Sequence, residues 1–88
     1  MVSYYVYILR CNGGTYYTGH AKDAEKRFEI HKKGLGARYT RMHEPEELVY
    51  VEEFESRGEA MKRERQIKKL SHNKKQQLIN SKNDSGAC

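Results

Sequence analysis

The sequence predicts an α+β domain, a small antiparallel or mixed sheet covered by helices, with elements in the order β-β-α-β-α-α. Three observations carry that prediction. Two runs rich in β-branched and aromatic residues, Tyr4 to Arg10 and Thr15 to Gly19, flank Asn12-Gly13-Gly14; such residues suit a pleated, half-buried surface, and the glycines supply the positive φ of a tight hairpin. A third run, Leu48 to Phe54, has the length and composition of a strand. The stretches between and after these runs carry helix start and stop signals, and helices segregated around a short sheet make an α+β layer arrangement.

In the hairpin, side chains alternate with period two, so loop length decides which residues share a face. A three-residue loop, Asn12 to Gly14, pairs Cys11 with Thr15, Leu9 with Tyr17 and Tyr7 with Gly19, and makes Tyr7 and Tyr17 diagonal neighbours. A two-residue Gly13-Gly14 turn would separate them. Gly19 has no side chain, which would let a substrate or a backbone approach beside the two phenols. Five of the seven tyrosines fall in this hairpin. Apolar cover alone would be better served by Val, Ile or Phe, so some of these hydroxyls are expected to have a partner or a task.

Asp23 is a plausible N-cap for a helix from Ala24 to Lys33, ended by Gly34. Residues 34–46 lack a period and read as a loop. Lys33 before it, with Arg38 and Arg41 inside it, are candidates for phosphate contact. Ser56 to Glu59 forms an S-x-x-E capping box, in which serine and glutamate each satisfy a backbone donor, and opens a helix to about Leu70. Ser71 caps a last short helix, His72 to Ile79. Residues 1–80 are expected to form a single domain and residues 81–88 a disordered tail.

With 88 residues, 36% hydrophobic and 33% charged, and a mean hydropathy of −1.03, the chain has room for one domain with a thin core. A formal net charge of +5 points to a polyanionic partner. No run of apolar residues is long enough to span a membrane and no secretory leader is recognisable, so the expected compartment is the cytoplasm. Cys11 and Cys88 match no redox or metal pattern. His20, His31, His43 and His72, taken with Cys11, lack the tight spacing of a structural zinc site.

Polar residues occupy positions where apolar ones belong. On the second helix, with Ala60 at 0°, Ile67 falls at about −20° and Met61 at about 100°, and Glu64 lies between them at about 40°. A half-buried carboxylate is costly unless it is paired or holds a metal. On the first helix, with Ala24 at 0° and Phe28 at about 40°, His31 falls at about −20° and Arg27 at about −60°. Arg27 and His31, four apart, are expected to share the inner face. The bland account is a semi-buried Glu64–Arg27 salt bridge and a satisfied core histidine. Several titratable groups facing one small core is also how active sites look.

These residues together resemble the signature of the GIY-YIG endonuclease superfamily: Tyr5-Val6-Tyr7, nine residues, Tyr17-Thr18-Gly19, Arg27 eight residues beyond that glycine, and a glutamate on a distant helix. Within it the chain is similar to the small stand-alone bacterial proteins, over residues 4 to about 80. The resemblance implies a three-stranded antiparallel sheet flanked by helices. It also implies phosphodiester hydrolysis with one divalent ion, Mg²⁺ or Mn²⁺, held by Glu64. By the same carry-over Arg27 would clamp the scissile phosphate, while Tyr7 and Tyr17 would orient and help deprotonate the attacking water. Either could be the base, with Tyr7 favoured because His31 could relay its proton. His31 matches a histidine found in some branches, and His20 stands where several members have lysine. Two departures are Tyr5 in place of the first glycine and the asparagine expected about a dozen residues past the glutamate. That place is near Gln76, while Asn73 comes early.

The chemistry suits those roles. A guanidinium fork and a metal ion stabilise charge that builds on a phosphodiester in the transition state. A phenol with a pKa near 10 needs a nearby cation to serve as a base at pH 7. The substrate implied is DNA, bound through a basic surface that includes Lys22, Lys26, Lys62, Lys68 and Lys69. Larger members attach a further DNA-binding domain, so specificity here would come from the chain's own surface or from a protein partner. The alternative reading keeps the fold as a non-catalytic basic module that binds nucleic acid. Oligomeric state does not follow from the sequence.

Overall fold

A computed structural model describes residues 3–35 and 42–87, the last six by their backbone alone. Among the described residues six elements follow in the expected order: β1 (Tyr4–Cys11), β2 (Thr15–Ala21), α1 (Ala24–Lys32), β3 (Pro45–Phe54), α2 (Arg57–Lys68) and α3 (His72–Ala87). The three strands form one sheet in the order β2-β1-β3, antiparallel throughout.

β1 is the central strand, and the run Val6-Tyr7-Ile8-Leu9 is buried on both of its faces. One face sets Tyr7, Leu9 and Cys11 against Ala24 and Phe28 of α1. The other sets Val6 and Ile8 against Tyr50, Ala60 and Ile67, with Ile79 from α3 closing the far side. Val6, Ile8, Leu9 and Ile67 have no exposed surface, and each such side chain contributes about 1.5–3 kcal/mol of burial. The core is therefore two thin layers sharing one strand.

The hairpin has the three-residue loop. Cys11 pairs with Thr15, Leu9 with Tyr17 and Tyr7 with Gly19, and Gly13 and Gly14 take φ of 86° and 79°. The Gly14 amide donates to the Cys11 carbonyl at 3.1 Å. Helix entries follow the caps in the sequence: Asp23 accepts from the Lys26 amide at 3.0 Å, and Ser56 accepts from the Glu59 amide at 3.2 Å. The Glu59 carboxylate takes the Ser56 hydroxyl as its donor at 3.1 Å, so that half of the capping box closes on the side chain.

Two boundaries differ from expectation by three residues or more. β3 begins at Pro45, three residues before Leu48, because β3 is an edge strand and a proline is tolerated at its first position. The expected boundary at residue 46 thus moves back to Glu44, whose carbonyl accepts from the Asn12 amide at 2.7 Å; Arg38 and Arg41 lie outside the described residues. The final helix continues to Ala87 instead of stopping at Ile79, so its backbone runs through most of the stretch that composition assigns to a disordered tail. Once nucleated, a helix propagates at one hydrogen bond per residue without needing an apolar face. Among the described residues no helix is long and apolar enough to cross a membrane.

Candidate active site

β2 is an edge strand, and its two faces deliver two groups of functional side chains. On the α1 face, Tyr7, Tyr17 and His31 form a triangle of rings. The Tyr7 hydroxyl and His31 Nε2 are hydrogen-bonded at 2.9 Å. The Tyr17 ring lies 5.0 Å from the His31 ring and 6.4 Å from that of Tyr7, tilted against both. Tyr7 and His31 are each 1% exposed, whereas Tyr17 is only half-buried. Diagonal placement of the two phenols is what the three-residue loop requires.

Gly19 explains how the Tyr7 phenol fits. A Cβ built there would lie 2.7 Å from the Tyr7 oxygen and 2.8 Å from its Cζ, so the phenol fills the space that the missing side chain leaves. Substrate approach beside Gly19, the expectation from sequence, is thereby corrected: the chain's own tyrosine occupies that place.

On the opposite face, His20 of β2 meets Glu64 of α2. His20 Nδ1 is 2.5 Å from Glu64 Oε1, and Lys68 Nζ donates to Oε2 at 2.9 Å. The carboxylate is 13% exposed. Its position in the inner arc of α2 follows the helical wheel, but its partners are His20 and Lys68, not Arg27. Lys68 was legible as the residue four after a glutamate, the favourable order for such a pair.

Arg27 departs from expectation. α1 buries Ala24 and His31, while Arg27 is exposed. At about −60° on the wheel it lies at the edge of an apolar arc centred on Ala24, His31 and Phe28, and it flanks the ring cluster from the solvent side. Its guanidinium is close enough to Tyr7 to act on that phenol by charge and as a hydrogen-bond donor.

Electrostatics couples the two groups. Burial pushes the Tyr7 pKa up; Tyr17 and Glu64 add to the rise and Arg27 opposes it. Burial also raises Tyr17, opposed by Lys68 and Arg27 and reinforced by Glu64. Both phenols are therefore protonated at neutral pH. Burial resists ionisation of Glu64, but hydrogen bonds from Lys68 and His20 outweigh it and hold the carboxyl below its usual range. Burial, aided by the Arg27 charge, lowers His31, leaving a neutral imidazole against Tyr7.

The His31 shift predicts an acid-sensitive fold. The unfolded chain binds a proton at His31 near pH 6.5, whereas the folded chain binds it only at lower pH. His31 therefore contributes stability that is present above about pH 6.5 and lost as pH falls below it. Chemical denaturation from pH 7.5 to 5 should show this decline, and His31→Gln should flatten it. Glu64, depressed below 4.5, acts in a separate, more acid window.

The remaining candidates are not gathered here. Lys33 is the exposed C-cap of α1. Asn73 is exposed on the first turn of α3, beside His72, whose Nε2 donates to the Gly14 carbonyl at 2.7 Å. That places Asn73 at the loop end of the hairpin, roughly 20 Å along β2 from Ala21. The His72 contact, which also stacks its ring on Tyr16 at 4.8 Å, had no sequence signal beyond an exposed histidine.

Among the described residues, no group of three or more His, Cys, Asp or Glu side chains converges on one point. Glu64 nonetheless fits a hard divalent ion of the Mg²⁺ kind. It is ionised and half-buried, and such ions are held through one or two carboxylates with water and substrate phosphate completing the shell. Lys68, half-exposed, is a displaceable partner on its second oxygen.

Residues 3–77 match the family described as the GIY-YIG catalytic domain. A UPF0213 protein of Staphylococcus saprophyticus is 49% identical over 79 residues, covering 90% of this chain and 96% of the relative. A UPF0213 protein of Staphylococcus aureus is 48% identical with the same coverage. Among solved structures, the solution NMR structure of a UPF0213 protein from Bacillus halodurans is 45% identical with a TM-score of 0.59, covering 91% of this chain and 85% of that one. The NMR structure of a protein from E. faecalis is 36% identical with a TM-score of 0.61, covering 92% and 86%. The architecture and the element order are those of these relatives.

Proposed function

Since the chain belongs to the GIY-YIG catalytic-domain family, we propose that it hydrolyses phosphodiester bonds of DNA with the help of one divalent ion, Mg²⁺ or Mn²⁺. The observation that carries this reading is the pairing of a ring cluster, Tyr7–His31–Tyr17, with an ionised Glu64 at the same strand edge, within electrostatic reach of one another. A structural core needs no such coupling.

The two tyrosines take different parts. Tyr7 is sealed beneath the surface and bonded to His31, so it positions rather than touches a nucleophile. Tyr17 is the half-exposed phenol and is the one that contacts the attacking water. Neutral His31 braces both rings and can accept a proton from Tyr7 through Nε2. Arg27, exposed on the solvent side of the ring cluster, clamps the non-bridging phosphate oxygens with a two-pronged donor. Glu64, with His20 beside it, would hold the ion. When bound, the ion supplies charge neutralisation at the phosphate and at the developing oxyanion. The Lys68 and Arg27 charges oppose the rise of Tyr17 and so favour the phenolate needed for general-base action.

Supercoiled and branched DNA incubated with Mg²⁺ or Mn²⁺ tests the proposal. Wild-type protein should nick in an EDTA-sensitive manner, and Tyr17→Phe should be slower by about 10²-fold, the scale of a lost general base. Absence of nicking by the wild type refutes the nuclease reading, and equal nicking by Tyr17→Phe refutes the general-base role given to Tyr17. Retention on DNA at low salt without cleavage would instead support a binding module, to which the occupied oxygens of Glu64 would be suited.

A further inference from the structure

An open groove of about 570 Å³ lies at the Ala21 end of β2. Tyr4 from β1, His20 and Lys22 at the end of β2, Lys26 and Arg27 from α1, and Arg57 at the start of α2 supply its walls. Lys22, Lys26, Arg27 and Arg57 are all exposed. None of these four cations forms an ion pair with a described residue, whereas Arg10, Arg63 and Lys68 are each held by a glutamate. The acid in the lining, Asp23, is engaged as the cap on the Lys26 amide. Unpaired positive charge brought into one concavity by several elements concentrates a polyanion there.

Two members of the lining connect the groove to the chemistry. His20 bonds Glu64, and Arg27 acts on Tyr7. The groove therefore runs past both halves of the site. Its volume is within the range of a small-ligand pocket, enough for a short run of nucleotides of one strand. Tyr4 adds an aromatic wall, with the Lys22 ammonium 6.0 Å from its ring centroid. Aromatic walls beside cations are how sequence-tolerant sites hold unpaired strands.

We propose that this groove is the track for a single, unpaired DNA strand, with Lys22, Lys26 and Arg57 on its phosphates and Tyr4 against a base. This rests on the nuclease reading and adds the form of its substrate: strand ends, flaps and gaps in preference to intact duplex.

Binding of a labelled oligothymidylate and of a duplex of equal length, measured by anisotropy across a salt series in EDTA, tests it apart from cleavage. The oligothymidylate should bind at least about tenfold tighter than the duplex. The Lys26→Ala/Arg57→Ala double variant should bind it about tenfold more weakly. Its slope of log affinity against log salt should be shallower by about 1.4, since each single-strand phosphate contact contributes about 0.7. Lys26→Arg/Arg57→Lys should restore the slope, and Arg10→Ala, whose cation is already paired outside the groove, should change nothing. Equal or tighter duplex binding, or an unaltered slope in the alanine double variant, overturns the track. Either result alongside wild-type nicking leaves the nuclease reading standing; tight, groove-dependent strand binding without nicking does the reverse.

Discussion

Arg27→Ala is expected to lower the nicking rate by about 10³-fold while leaving the melting temperature within about 2 °C of wild type. The two halves of that expectation come from different facts. Removing one preorganised donor aimed at transition-state charge costs about 10²–10³ in rate, and a guanidinium supplies two such donors at once. Arg27 is exposed on α1, where substitutions change stability by no more than about 0.5 kcal/mol, or roughly 2 °C in a domain of this size. Arg27→Lys should recover only part of the rate, because an ammonium is a point charge without the fork. Single-turnover nicking and a thermal melt on the same samples check both statements. A large drop in melting temperature would return Arg27 to a structural role.

Gly19→Ala is expected to cost about 3 kcal/mol, near the upper part of the range for overpacking a core, and to lower the melting temperature by roughly 15 °C. Gly19 sits in β2 without a positive φ, so the penalty is steric and not conformational. The added methyl would meet the Tyr7 phenol oxygen at 2.7 Å and the edge of the Tyr17 ring at 3.2 Å. Tyr7 cannot retreat, being sealed by Leu9, Ala24 and Val51 and held by His31. Combining Gly19→Ala with Tyr7→Phe removes the nearest atom and should recover part of the loss. In a double-mutant cycle by chemical denaturation, a coupling below about 0.5 kcal/mol would show that the two residues do not share this space.

The hairpin was legible residue by residue because two simple facts govern it: alternation along a strand and an odd loop length. Its register was legible as a choice between a three-residue Asn12–Gly14 loop and a two-residue Gly13-Gly14 turn, and the pairing of Cys11 with Thr15 selects the first. Glu64 was legible as a misplaced carboxylate, since a helical wheel shows where a charge enters an apolar arc. Its partners were harder. His20 reaches it from a strand distant in sequence, and no local pattern links the two. Arg27 was drawn too far inward because the wheel gives an angle but not the width of the buried arc; α1 packs on β1 through Ala24 and His31, a narrow contact that leaves −60° in solvent. Pro45 reads as a breaker and hid the first turn of pairing in β3, since sequence does not announce which strand will be an edge. The groove was legible only as scattered positive charge. Lys22 and Lys26 belonged to a long basic inventory and Arg57 to a capping motif, and the fold brings them to one wall.

The strand order has a consequence for biosynthesis. β1 is made before either of its partners, yet its second partner, β3, ends at Phe54. At about 5–20 residues per second, the stretch from Ala21 to Phe54 takes roughly 2–7 s to emerge. During that interval the nascent hairpin carries an open backbone edge beside Val6, Tyr7, Ile8 and Leu9, the kind of edge that recruits other chains. A chain stalled between β2 and β3 thus keeps that edge open until β3 pairs with it.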